Sequence, residues 1–109
     1  MATAAFWQRG ETLDYPNTSG SKIAANTIVV VGSRVGVIGG DIENGSTGSI
    51  HMGGVWEMPK TGSSAISLGQ TVYWDGSGIT NVSTSNTEAG YAAAAAGADA
   101  TKIMVKLNG

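Results

Sequence analysis

The sequence predicts an all-β protein: a small β-barrel or β-sandwich built from hairpins, with a flexible N-terminal arm and little or no helix. Val and Ile number 17 against 3 Leu among 109 residues, and β-branched side chains suit a pleated sheet better than a helix. Gly, Ala, Ser and Thr supply 53 residues and aromatics only 7, a composition for thin, closely spaced layers. The apolar runs are short and separated by Gly, Pro and Asn clusters, as hairpins require. Residues 1–10 form the arm and residues 11–109 a single β domain.

Residues 1–10 begin with small side chains and continue through Phe6-Trp7-Gln8-Arg9-Gly10 without a period. Residues 11–15 alternate loosely and stop at Pro16, which ends ladder pairing. Asn17-Thr-Ser-Gly-Ser21 is a turn cluster. Ile28-Val-Val-Val31 reads as a buried strand from its unbroken β-branched run; Gly32-Ser33 breaks it, and residues 34–38 resume as a strand. Asn44-Gly45 marks a strong bend because both residues tolerate positive φ. Residues 49–52 and 55–58 read as one long kinked strand, with Gly53-Gly54 as a bulge and Pro59 as the stop.

Residues 71–75 form a strand closed by Asp75-Gly76-Ser77-Gly78, with residues 79–82 as its hairpin partner. Residues 91–96 are the ambiguous element. Five consecutive alanines favour helix, but Gly90 and Gly97 bracket fewer than two helical turns. A strand in a tightly packed place, where methyl-sized side chains let another layer approach, is the expected form. Residues 101–107 alternate Ile103, Val105 and Leu107 against Lys102, Met104 and Lys106, a half-exposed closing strand.

An internal echo runs through this order. Ser21-x-Ile23-x-x-Asn26-x-x-Val29 aligns with Ser64-x-Ile66-x-x-Gly69-x-x-Val72, and Asp41-Ile42-x-x-Gly45 shares the central pattern. Each reads as an apolar plug and a tight bend feeding a strand. Reuse of one turn solution is favoured over duplication of a larger unit, and either supports a small barrel or sandwich.

Several classes of function are excluded by what the chain lacks. At 13% charged residues and a net charge of −2, it has no electrostatic footprint for nucleic acid or an anionic membrane. The apolar runs fall far short of the roughly 20 residues a bilayer span needs, so a soluble product of the cytoplasm is expected. Without Cys there is no disulfide framework, thiolate or cysteine-ligated metal. The single histidine, His51, reads as an exposed or hydrogen-bonded strand residue. Gly32-Ser-Arg-Val-Gly36 and Gly45-Ser-Thr-Gly48 lack the spacing of a nucleophile elbow. Lys60-Thr61 follows Pro59, where a phosphate loop needs glycine. Asp41 and Glu43 are solvated turn carboxylates. No catalytic residue, metal ligand or cofactor site is assigned, and an enzyme is not expected.

Aromatic residues are the remaining signal. Trp7, Trp56 and Trp74 are many for so thin a core, and alternation sends Tyr73 and Trp74 to opposite faces of their strand. One of that pair therefore faces solvent or a partner, where aromatics anchor interfaces well. Ordering each residue costs roughly 1–2 kcal/mol of backbone entropy, so a core of small side chains calls for oligomerisation or docking as added stability.

The order of segments resembles a family of small tailed-phage and prophage capsid cement, or head decoration, proteins. The resemblance rests on Gly10-Glu-Thr-Leu-Asp-Tyr15, Ile28-Val-Val-Val-Gly32, Val35-Gly-Val, Gly53-Gly-Val-Trp-Glu-Met-Pro-Lys60, Leu68-Gly-Gln-Thr-Val-Tyr-Trp-Asp75 and Val105-Lys-Leu-Asn-Gly109. It implies a structural virion protein, without catalysis, that binds the outer surface of a phage or prophage head and stabilises the shell. Its implied partners are the major capsid protein and itself, as a homo-oligomer with a trimer favoured over a dimer. Synthesis in the host cytoplasm and residence on the capsid surface follow.

On this reading the capsid contact is expected on the arm, at Phe6, Trp7, Gln8 and Arg9, by strand addition. The interface between copies is expected at Trp56, Tyr73, Trp74 and Ala92. The alternatives are a β-sandwich binding module of carbohydrate-binding or adhesin-like type, and a phage tail or baseplate subunit.

Overall fold

The computed structural model of the chain describes residues 2–6 and 10–109. Among these, nine strands form two antiparallel sheets and no helix is present. The first sheet has the order β1-β4-β3-β2, with β1 at Thr12–Pro16, β2 at Ile28–Val31, β3 at Arg34–Ile38 and β4 at Thr47–His51. The second has the order β5-β9-β8-β6-β7. Its strands are β5 at Val55–Pro59, β6 at Thr71–Trp74, β7 at Ile79–Thr80, β8 at Thr87–Ala92 and β9 at Lys102–Leu107. Both sheets keep free edges, so the protein is a sandwich and not a closed barrel.

Four expectations change on contact with this topology. The proposed kinked strand is two strands in different sheets, because Gly54, at φ +90°, turns the chain from β4 out of the first sheet into β5 of the second. Ile28–Val31 is not buried but forms an edge, with Val30 45% exposed. Pro16 stays in the ladder opposite Thr47, which an edge strand permits. The strand expected at residues 91–96 runs instead from Thr87 to Ala92 and ends two residues into the run.

The echo extends to a whole unit. Register pairs Pro16↔Thr47 and Thr12↔His51 recur as Pro59↔Lys102 and Val55↔Lys106. Ile28↔Val37 and Val29↔Gly36 recur as Thr71↔Tyr91 and Val72↔Gly90, and Val37↔His51 recurs as Tyr91↔Lys106. The plug bridge Ile23↔Ile42 recurs as Ile66↔Ala96. β1, β2, β3 and β4 therefore correspond to β5, β6, β8 and β9, and β7 is an addition inside the second β2–β3 hairpin. Reuse of a turn alone does not produce matched ladders, so the echo is a structural repeat.

The plug turn itself occurs five times, with an N–H to C=O bond closing residues 24–27, 43–46, 67–70, 83–86 and 97–100. Four of these turns hold their third residue at positive φ: Asn26, Gly45, Gly69 and Ser85. That is the type II geometry that favours Gly or Asn. Each turn feeds a strand: β2, β4, β6, β8 and β9 in order.

The plugs also build the core. In the first unit Ile42 covers Ile38 and Ile50, with Tyr15, Ile23, Val29, Val31 and Met52 packed around them. The equivalent residues of the second unit, including Met58, Ile66, Val72, Ala92, Val105 and Leu107, lie in the larger cluster, which Val35 and Val37 of β3 also enter. Ala89 and Ala92 on β8 are the methyl-sized residues beside which β3 approaches. Two glycines at equivalent positions make room. A Cβ at Gly36 would lie 2.5 Å from Ile50 Cδ1, and one at Gly90 would lie 1.9 Å from the Lys106 carbonyl oxygen.

Candidate docking surfaces

Of the arm residues proposed for contact, Phe6 is 86% exposed; Trp7, Gln8 and Arg9 lie outside the described residues. Trp56 is half-buried on the inner side of β5, its ring tilted 41° against His51 at a centroid distance of 5.2 Å. Its Nε1–H donates to the Gly53 carbonyl at 2.8 Å, which fixes the indole at the point where the chain changes sheet. Trp74 is half-buried against the core, while its neighbour Tyr73 points to the opposite face, as alternation requires. Ala92 is fully buried inside its own chain, on the face shared with Val105. It offers nothing to a second copy and is withdrawn as an interface residue.

Sequence reasoning missed the outer face of the second sheet. Register places Val55, Glu57, Lys102, Met104, Lys106, Tyr91, Tyr73 and Glu88 on this side. Val55, Met104 and Tyr91 are exposed there. The signal lay in the alternation of residues 101–107, which marks the exposed side of β9, but the strands flanking it could not be known from spacing.

Polar groups in the fold serve structure. Asn17 is buried and satisfied: Nδ2 donates to the Ser21 and Ile42 carbonyls at 2.8 Å, and Oδ1 accepts from Ser19 N–H and Oγ–H. The equivalent position in the second unit is Lys60, buried with its Nζ directed at the Ala98 carbonyl, 3.5 Å away. Asp75 organises the β6–β7 turn, accepting from Thr61 Oγ1 at 2.6 Å and from the Ser77 and Gly78 N–H groups at 2.8 Å. The Thr61 bond is the chief cause that holds its carboxyl below the ordinary range; burial opposes it, and each of the two N–H groups adds a smaller lowering effect. Asp41 is likewise held low, first by the Ala25 N–H and then by Lys22, whose Nζ lies 3.2 Å away.

The His51 ring lies 3.3 Å from Thr12 Oγ1 through Nδ1, beside a shallow polar depression lined by Gly39, Gly40 and Ser49. Among the described residues no three His, Asp or Glu side chains converge to hold a metal ion. Among the described residues the surfaces left open include the β2 edge, the outer face of the second sheet and residues 2–6. Residues 7–107 match the family of phage cement proteins. The chain belongs to that family. Its members are structural proteins that stabilise phage capsids, and the match spans both units of the repeat. No curated protein and no solved structure matches the chain.

Proposed function

We propose that this protein binds the outer surface of a phage or prophage head as a small symmetric homo-oligomer, a trimer before a dimer, and holds neighbouring copies of the major capsid protein together. The family match through nearly the whole chain carries this reading. The physical case supports it: a closed shell is stabilised by each added protein in proportion to its binding free energy, repeated at every site. That requires complementary surfaces and no bond chemistry.

The test mixes purified protein with expanded, empty heads of the cognate phage. Saturable binding at a fixed ratio to the capsid subunit is expected, with increased resistance of the heads to heat or denaturant. Heads that bind no protein, or bind it without any gain in resistance, would refute the reading. Binding to unexpanded or broken shells alone would place the site elsewhere than on the finished surface.

A further inference from the structure

The two units differ at one place. In the second, the long loop between β6 and β8 folds back as β7 and pairs with the outer side of β6, Tyr73 opposite Thr80 and Trp74 opposite Ile79. In the first, the same hairpin is closed by Gly32 and Ser33 alone, so nothing equivalent to β7 exists. Ile38 N–H donates to the Thr27 carbonyl, and antiparallel bonding alternates. Residues 27, 29 and 31 therefore bond inward to β3, while Ile28 and Val30 direct N–H and C=O outward. Among the described residues neither has a backbone partner on that side.

Among the described residues this is also the one unguarded edge. β1 carries Asp14 and Pro16, and β5 carries Glu57 and Pro59. β7 is two residues long and is flanked by Lys60 and Thr61, whose backbones pair with Ile79. β2 is Ile-Val-Val-Val, with no charge, proline or bulge. Such an edge invites another strand.

We propose that the outer side of β2 receives the N-terminal arm of a second copy of this chain, residues 2–6 adding the strand that β7 supplies to the second unit. The proposal rests on the homo-oligomer of the reading above and gives the arm a sister copy, rather than the shell, as its partner. Residues 2–6 are Ala-Thr-Ala-Ala-Phe, all exposed, in no strand, and free of charge, Pro and Gly. Beside β2 lies a groove of about 410 Å³ lined by Ile28, Val37, Trp56 and Met58, large enough for an aromatic ring such as that of Phe6.

An arm that leaves at the edge opposite β2 reaches the β2 edge of a second copy without crossing the face of its own sheet. Thr12, His51, Val37 and Ile28 form one row across the first sheet, so the arm leaves at the edge opposite β2, about 14 Å away at the usual strand spacing. Donor and acceptor on opposite edges make a head-to-tail contact, which closes into a ring when the rotation permits.

The experiment uses two variants. One lacks residues 2–9 and keeps the acceptor edge; the other, Val30→Lys, keeps the arm and charges the edge. Circular dichroism melts establish that both fold. In sedimentation analysis each is expected to raise the concentration for half-assembly at least tenfold over the parent chain. Mixed together, they are expected to form a 1:1 heterodimer that cannot close, with Ile28 and Val30 amides of the truncated chain protected from hydrogen exchange.

Folded variants that assemble like the parent, or a mixture that forms no heterodimer, would overturn the proposal; the latter is also the result if each arm folds onto its own edge. Truncation that abolishes binding to heads but leaves assembly intact would overturn it in favour of an arm bound to the shell. Parent protein that assembles through the arm and ignores heads would support the proposal while refuting the function proposed above.

Discussion

Asn108 ties the two sheets together, and replacing it tests that role quantitatively. It lies one residue past β9 at φ +51°. Its Nδ2 donates to the Val35 carbonyl of β3 at 3.0 Å and to the Met52 carbonyl beyond β4 at 2.8 Å, and its N–H donates to the Ala89 carbonyl at 2.8 Å. Asn108→Gly removes only the two side-chain bonds, each worth about 1 kcal/mol net. Part of that loss is offset, because Oδ1 is buried without a hydrogen-bond partner among the described residues and its removal relieves a desolvation cost. The expected loss is about 1–2 kcal/mol.

Asn108→Ala loses the same bonds and must also hold a β-carbon at positive φ, which adds about 1 kcal/mol. Asn108→Asp turns an anionic oxygen toward two carbonyls and should cost at least about 3 kcal/mol. Urea unfolding at neutral pH and fixed protein concentration should therefore rank the losses as Gly, then Ala, then Asp. Midpoints should move without a change in slope. An Asp variant no weaker than the Gly variant would show that Nδ2 does not join the sheets. Equal Ala and Gly variants would refute the backbone argument.

Two further outcomes follow from the turns. Ser85, at φ +62°, occupies the position that Gly69 fills in the equivalent kind of turn. Ser85→Gly should therefore stabilise the protein by about 0.5 kcal/mol, and Gly69→Ala, which meets no steric contact, should destabilise it by about 1 kcal/mol; thermal melts of the pair check the opposite signs. Asp75 has a folded pKa below its unfolded value. Its contribution is then complete above the ordinary aspartate range and is lost as pH falls through the lower folded value. Melting temperature plotted against pH should show the parent and Asp75→Asn converging in acid and diverging toward neutrality; parallel curves would refute the role of the Thr61 bond.

Short-range information in the chain predicted the strands well, and the long-range partners poorly. Ile28–Val31 announces a strand through β-branching, but four apolar residues look the same in a sheet centre and on an uncovered edge. Gly53-Gly54 announces an irregularity, yet a bulge and a change of sheet need the same backbone freedom. The repeat was visible at Ile23, Ile42 and Ile66 because those plugs are isoleucine. It was hidden at Ala96, where the plug shrinks, at Val82, which stays exposed before its turn, and at Ser85, where the turn residue departs from Gly or Asn. Asn17 and Lys60 occupy one structural position with unlike side chains, so no comparison of residue types aligns them. The open edge at β2 was the least legible part, since which strand has no neighbour is a property of the whole topology.

The repeat also shows which sides of so thin a protein stay open. Each unit covers one side of its sheet with its own plugs, and cover on the remaining side differs between the units. For the first unit, the second provides part of that cover, through Val35 and Val37 entering the larger core. For the second, the corresponding side carries Val55, Tyr91 and Met104 into solvent, and the edge of the first unit lacks the strand that the second makes for itself. On the proposal above, a molecule that completes its first unit with a neighbour's arm passes the same deficit to the next, until a ring closes or a foreign surface ends the series. A capsid, which presents identical sites by the hundred, is the kind of surface on which such a deficit becomes adhesion.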